Sequence, residues 1–354
     1  MAKTIQVGLI GFGMAGRVFH APIISSVEGL QLTMIRETKA PNISIIKNNY
    51  PQVTIVNDAE AIFENEAIDL VVIATPNTSH FSLAKEALSA GKAVVVDKPF
   101  TITTAEADEL ISLAEKQHLL LSVYHNRRFD STTKTAKKVI DSGVLGTLVE
   151  YEVHYDRFRN TLRKDAWREE ALPGSGILYD LGAHLIDQAQ YFFGLPQAVY
   201  ADVRIQRKDA KATDHFEVVL HYNHLKVTLK AGMLVRETGP HMVLYGDKGS
   251  FVKYGMDVQE EALKAGLSPK DIPNWGEEPA ELWGTLNTDF NNLHVIGKVE
   301  SERGDYSGYY ANIYKAMIGE EQLLVTPETA RNTIRIIEVA MESSEEKRIV
   351  PFTK

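Results

Sequence analysis

Three short stretches of this chain hold residue types that can grip phosphate or move a proton. The first is Gly11-x-Gly13-x-x-Gly16, placed directly behind the apolar run Ile5-Gln6-Val7-Gly8-Leu9-Ile10 and ahead of a helix-compatible segment. In that order one glycine makes a tight strand-to-helix turn and the next lets backbone approach a pyrophosphate. The third lets the helix pack on the strand with its N-terminal N–H groups facing the negative charge. The second stretch is Val96-Asp97-Lys98-Pro99-Phe100, where an ammonium sits at the end of a buried apolar run. An ammonium beside an alcohol or carbonyl oxygen stabilises developing alkoxide charge. The third is Asp180, His184 and Asp187, spaced four and three residues apart. That spacing predicts one face of one helix, with a carboxylate that can orient an imidazole and raise its pKa.

These groups need elements to carry them. Helix is expected over 16–25, 41–49, 59–65, 79–90 and 105–116. Strand is expected over 31–35, 53–56, 68–74, 93–96 and 119–123. The strand runs 68–74 and 93–96 are nearly continuous in apolarity, as in a parallel sheet covered on both faces. Alternating strand and helix predicts an α/β doubly wound, Rossmann-type domain over 1–123. Beyond Tyr124 the pattern changes. A helix is expected over 131–141, and later strands alternate polar with apolar residues at 148–155, 198–205, 215–220 and 226–233. They predict an α+β domain over 124–354 with a mostly antiparallel open sheet, one face covered. Tyr245 to Phe251 has turn chemistry between two strands, 254–281 is expected to be an irregular lid, and 329–342 a final amphipathic helix.

Composition narrows the functions available. A chain of 354 residues, 44% hydrophobic and 24% charged, is long enough for two cores and ordinary for a folded enzyme. Its 38 Lys and Arg against 47 Asp and Glu leave a net charge of −9, which argues against general nucleic-acid binding. Zero cysteines remove disulfides, thiolate nucleophiles and cysteine-bound metals together. Met1-Ala2-Lys3-Thr4 runs straight into the first strand and no apolar run reaches membrane-spanning length, so a cytoplasmic protein is expected. His221, His224 and His241 offer no complete metal set, and no metal site is expected.

Four motifs in order resemble the Gfo/Idh/MocA oxidoreductases over essentially the whole chain. They are the opening glycines, Ala74-Thr75-Pro76-Asn77-Thr78-Ser79-His80, Asp97-Lys98-Pro99, and the segment from Gly176 to Asp187 that contains Tyr179-Asp180-Leu181-Gly182 and His184. Tyr124-His125-Asn126-Arg127-Arg128-Phe129-Asp130 is similar to the branch holding NADP-dependent scyllo-inositol dehydrogenases. One departure is visible, because the family's usual Glu-Lys-Pro is here Asp97-Lys98-Pro99.

The resemblance implies a cofactor site formed by Gly11, Phe12, Gly13, Met14, Ala15, Gly16, Arg36, Thr75, Pro76, Asn77, His80, Asp97, Lys98 and Pro99. It also implies that Lys98 reaches the oxygen on the reacting carbon. The expected catalytic set is Lys98, Asp180 and His184, with the principal proton-transfer role open between Lys98 and His184. Asn126, Tyr155 and Trp167 are candidates for holding substrate hydroxyls together with Lys98, Asp180 and His184. Arg36 then Glu37 follow the second strand: the first suits a 2′-phosphate and the second repels it, and NADP(H) is favoured over NAD(H). Hydride transfer at a secondary alcohol of a sugar or cyclic polyol is the expected reaction. The alternatives are a cofactor-binding regulatory protein without turnover, or a reductase of an imine or enol-like substrate. No membrane or nucleic-acid partner is expected, and an uncovered sheet face predicts a homodimer or homotetramer.

Overall fold

The computed structural model describes residues 3–163 and 167–353. Met1 and Ala2, on which the expected leaderless start partly rests, lie outside them. The chain forms two compact units. The first takes Met1–Asn126, Gln259–Trp275 and Asp305–Arg331, and the second takes Arg127–Val258, Gly276–Gly304 and Asn332–Lys354. Beyond Asn126 the chain returns to the first unit twice, at Gln259 and at Asp305. Gln259 shows why the first return holds. Its buried side-chain carbonyl accepts from Trp275 Nε1 at 2.8 Å and from the Tyr306 amide at 2.7 Å, which ties both returning segments together. The stretch expected as an irregular lid thus contains a helix, Gln259–Lys264, and buried polar anchors.

The first unit is built on six parallel strands: β1 (Ile5–Ile10), β2 (Leu30–Arg36), β3 (Thr54–Val56), β4 (Leu70–Ile73), β5 (Ala93–Val96) and β6 (Leu121–Val123). Their order is β3-β2-β1-β4-β5-β6, the doubly wound arrangement. Every residue of β4 and β5 is buried, which is why their sequences run apolar without alternation. The order reverses between β1 and β4, the point at which doubly wound sheets bind ligands beyond the carboxyl ends of their strands. The helix Thr104–Gln117 begins at a capping box in which Thr103 and Glu106 exchange backbone hydrogen bonds. A helix not anticipated from sequence, Ser307–Met317, adds Tyr309 and Tyr310 to a buried aromatic cluster with Tyr124 and His20.

The second unit carries a nine-stranded sheet among the described residues. Its strands are β7 (Leu148–His154), β8 (Ala198–Arg204), β9 (His215–His221), β10 (Lys226–Gly232), β11 (Met242–Gly246), β12 (Gly249–Lys253), β13 (Gly284–Phe290), β14 (Leu293–Val299) and β15 (Val350–Pro351). The order is β14-β13-β12-β11-β7-β10-β9-β8-β15, antiparallel except where β10 lies parallel to β7. Alternation decides the faces. Tyr151, Val153 and Tyr155 turn inward, and Tyr151 packs on Phe192 and Phe193 of the helix Ala183–Phe193. Glu150, Glu152 and His154 turn to the other face. The hairpin β13–β14 was not expected, and β14 is exposed along nearly its whole length.

Candidate functional site

Within the first unit, the carboxyl edge of the parallel sheet gathers most of the residues the sequence singled out. Gly11 has φ +98°, and a Cβ there would lie 2.7 Å from the Ala74 carbonyl oxygen at the end of β4. A Cβ at Gly16 would lie 2.1 Å from the Gly11 carbonyl oxygen, so the turn closes only with glycine. A Cβ at Gly13 would meet no protein atom within 4 Å. Two of the three glycines are thus required by the fold, and the third is open toward the space a pyrophosphate would take. Phe12 is buried edge-on to Tyr50, which leaves its backbone for the cofactor, while Met14 is exposed. The segment that follows opens as a π-helix, Ala15–His20, before becoming α-helical at Ala21–Ser26. Such wide turns inside helices recur at functional sites.

The loops after β4 and β5 are stitched to one another by His80, which is wholly buried. Its Nε2 is 3.0 Å from the Thr75 carbonyl oxygen and its Nδ1 is 2.9 Å from that of Pro99. Burial pushes its pKa below the ordinary value against the pull of Asp97 and the carbonyls. Both ring nitrogens therefore address the protein, and His80 holds the two loops rather than reaching out of them. Lys98 is half-buried at the end of β5, and its peptide bond to Pro99 is cis. Asp97 faces inward. Its Oδ1 lies 3.4 Å from His20 Nε2, and His20 Nδ1 lies 2.6 Å from the Tyr310 hydroxyl. Burial works to raise the Asp97 pKa, but His20, Lys98 and His80 outweigh it and hold the carboxyl below its usual range.

At the end of β2 the two candidate discriminators point to different tasks. Arg36 donates from Nε to the Asn57 carbonyl at 2.9 Å. Glu37 is buried in its own loop and accepts from the Thr38 and Lys39 amides at 2.7 and 2.8 Å and from Asn42 at 2.6 Å. Burial alone would raise its pKa, yet these donors lower it.

In the second unit Asp180 lies in another π-helical turn, Leu178–Gly182, and His184 lies in the α-helix that continues from it. His184 is buried, with its ring centroid 6.3 Å from that of Tyr155. Asp180 is partly exposed, and Arg168 Nε approaches its Oδ1 to 3.3 Å while the Arg168 guanidinium stacks 4.6 Å from the Trp167 ring. Asp187 lies three residues beyond His184 on the same helix. It is buried and takes a two-pronged ion pair from Arg128 at 2.8 and 2.6 Å, so its carboxylate is engaged in holding the helix. His241, considered in the sequence only as a metal ligand, is buried. It stacks on Tyr155 at 5.2 Å and contacts the His154 carbonyl through Nδ1 at 2.8 Å, and burial lowers its pKa to about 4. A carbonyl only accepts, so Nδ1 carries the proton and Nε2 the lone pair. Its place opposite β7 in a paired strand was the missing signal. Asn126 is buried in the first unit, at the short turn Asn126–Phe129.

A glycine-lined dinucleotide cradle in one unit, and a carboxylate–imidazole helix on a large sheet in the other, define an oxidoreductase of the two-unit Rossmann class. Residues 5–125 match the oxidoreductase family NAD-binding Rossmann fold, and residues 137–352 match the C-terminal alpha/beta domain of the same family. The chain belongs to the Gfo/Idh/MocA family. It is 39% identical over 347 residues to scyllo-inositol 2-dehydrogenase (NADP(+)) IolW of Bacillus subtilis, covering 98% of this chain and 96% of that protein. It is 41% identical over 353 residues to the oxidoreductase YdgJ of Escherichia coli, covering 98% of each. The solved structure of the oxidoreductase yvaA from Bacillus subtilis superposes with a TM-score of 0.95 at 38% identity, over 100% of this chain and 99% of that one.

The glycines yield the first test. Gly13→Ala should leave the thermal unfolding midpoint within about a degree of the parent while weakening nicotinamide dinucleotide binding at least about tenfold, since no protein atom lies within 4 Å of the added methyl. Gly16→Ala should lower the midpoint itself, because backbone must shift. Equal losses of stability in the two variants would contradict the division of roles.

Proposed function

We propose that this protein transfers a hydride between the nicotinamide C4 of NADP(H) and the carbinol carbon of a sugar or cyclic polyol, of the inositol kind. One observation carries the reading. The glycine cradle, the Thr75 loop and Lys98 lie on one carboxyl edge, joined by His80 between the Thr75 and Pro99 carbonyls. The identity to an NADP-dependent scyllo-inositol dehydrogenase supports the substrate class.

When bound, the nicotinamide supplies the two-electron chemistry, and the protein positions it and manages one proton. Gly13, in the turn that Gly11 and Gly16 permit, would receive the pyrophosphate at the helix start, and Thr75, Pro76 and Asn77 would flank the dinucleotide. Lys98 holds the substrate oxygen and stabilises charge that develops there as the C–H bond is transferred. His184 accepts the hydroxyl proton in oxidation and returns it in reduction. Asp180 anchors a neighbouring hydroxyl and orients the imidazole. Tyr155, stacked on His241 with the His184 ring tilted 6.3 Å away, walls that helix and offers its hydroxyl to the polyol, as Asn126 offers its amide and Trp167 its indole N–H. Arg36 supports NADP because Glu37, the acid that would repel a 2′-phosphate, already spends its oxygens on three donors of its own loop.

Turnover of scyllo-inositol, myo-inositol and aldoses with both cofactors tests the assignment. His184→Ala and Lys98→Met should each lower kcat/KM by about 10²–10⁴-fold on the best substrate. Whichever substitution also removes the acid limb of the pH profile identifies the principal proton-transfer group. Near-normal turnover by His184→Ala would refute its role.

Arg36→Ala should raise the Kd for NADPH by about tenfold or more and leave NADH nearly unaffected. An undiminished NADPH preference would assign the discrimination to another residue.

The uncovered face of the nine-stranded sheet also supports assembly as a homodimer or homotetramer. Light scattering should give a multiple of 39.5 kDa, and a mass of one chain at micromolar concentration would count against it.

A further inference from the structure

The segment that follows β7 gathers positive charge in a chain that is acidic overall. Arg157, Arg159, Arg163 and Arg168 fall within twelve positions, although the net charge of the chain is −9. The segment is anchored as a short extended run. The Arg157 amide donates to the Gly232 carbonyl at 2.9 Å and the Arg159 amide to that of Met233 at 2.7 Å. The Val235 amide donates to the Arg157 carbonyl at 3.0 Å, and Phe158 bridges Leu234. Side chains alternate along such a run. Phe158 lies under the Arg236 guanidinium, 3.9 Å from its ring centroid, so Arg157 and Arg159 leave on the opposite side.

The acids nearby are mostly occupied. Arg207, almost fully buried, pairs with Asp214 at 2.8 Å and Glu169 at 2.7 Å and donates to the Thr161 carbonyl at 3.3 Å. It neutralises those carboxylates and braces the loop. Asp180, also in this region, is contacted by Arg168 at 3.3 Å. Arg159 is close enough to Asp180 to feel its charge. Burial lowers the Arg159 pKa, and the like charges of Arg157 and Arg163 lower it further. Arg159 thus lies in the field of two like charges, and a bound anion relieves that repulsion through planar, charge-assisted hydrogen bonds.

We propose that Arg157 and Arg159, with Arg163 at the rim, form an oxyanion subsite beside Asp180, and that the physiological substrate is a polyol or sugar bearing a carboxylate or a phosphate ester. This rests on the reading of the second unit as the substrate-holding half of a dehydrogenase. Asp180 holds a hydroxyl and the arginines hold the charged end, which fixes the carbon presented for oxidation.

The test uses the full-length protein with NADP(H) and matched substrates: glucose, glucose 6-phosphate and glucuronate, and scyllo-inositol against an inositol monophosphate. An anionic member should exceed its neutral counterpart in kcat/KM by about tenfold or more, and the advantage should shrink as salt is raised. The phosphate and carboxylate arms tell the two oxyanions apart. The double variant Arg157→Gln, Arg159→Gln should bring the anionic-to-neutral ratio toward one through KM, while Arg159→Lys keeps part of it. Thermal shift with inorganic phosphate and with gluconate supplies a readout without turnover. If no polyol reacts but these anions stabilise the parent and not the double variant, the subsite stands and the assigned reaction fails. Equal rates for neutral and anionic partners, or a ratio unchanged in the folded double variant, would overturn the subsite.

Discussion

The distance between Gly16 and the Gly11 carbonyl governs the first unit. A methyl group at Gly16 would stand 2.1 Å from that oxygen, so the strand can reverse into a helix within five residues only where no side chain intervenes. The closeness has a second consequence at Gly11, where a Cβ would press on the Ala74 carbonyl at 2.7 Å. Strand β1 is thereby held against β4 at its carboxyl end, and the order of the sheet reverses at that same point. The cradle is therefore a by-product of how tightly the chain must turn, and Gly13 alone of the three is left free to serve a ligand.

Charge buried behind this edge is managed by histidines. Asp97 replaces a glutamate usual in the family and is one methylene shorter. Its carboxylate points at His20, which is in turn held by Tyr310. The tyrosine comes from the helix Ser307–Met317, on a segment that returns to the first unit late in the chain. His80 performs the parallel task on the other side of Lys98, through the Pro99 carbonyl. The residues flanking Lys98 are thus fixed from both directions by buried imidazoles, and Lys98 inherits its position from them. Neither histidine needs contact with a substrate to matter for the reaction.

How much of this was legible depended on periodicity. Strands buried on both faces announce themselves as unbroken apolar runs: Ala93–Val96 was readable to the residue, while the run expected over 68–74 pairs only at Leu70–Ile73. The hairpin β13–β14 was not readable in that way, because β14 has no covered face to impose alternation. Its signal was the turn. Asn291 and Asn292 have φ of +51° and +62°, and asparagine tolerates that conformation best after glycine. The helix Ser307–Met317 was missed although Tyr306, Tyr309, Tyr310 and Ile313 keep helical spacing, since tyrosines read equally well as surface residues. Asp187 shows a different limit. Spacing placed it correctly on the helix, but its partner Arg128 lies 59 residues earlier, and no local pattern foretells such a pair. The π-turns at Ala15–His20 and Leu178–Gly182 have no sequence signature at all, yet both open the helices that carry the candidate chemistry.

Strand β7 and its extension show how the second unit keeps two electrostatic regimes one residue apart. On the face away from the helix, His154 lies between Asp156 at 2.9 Å and Glu152 at 2.7 Å, and its pKa is raised, by the Asp156 hydrogen bond first. The next residue, Tyr155, turns to the inner face, where His241 stacks on it and is pushed down to about 4. A period of two therefore converts one backbone into an acidic outer surface and an aromatic inner wall. That wall is capped by the buried Arg127 guanidinium, 5.9 Å from the Tyr155 ring centroid, whose charge helps keep His241 neutral. The arginines come only after the strand has left the sheet, beside Asp180 and outside the aromatic wall. The aromatic wall and the arginines are in this way carried by consecutive stretches of one segment, and each can be altered by substitution without rebuilding the other.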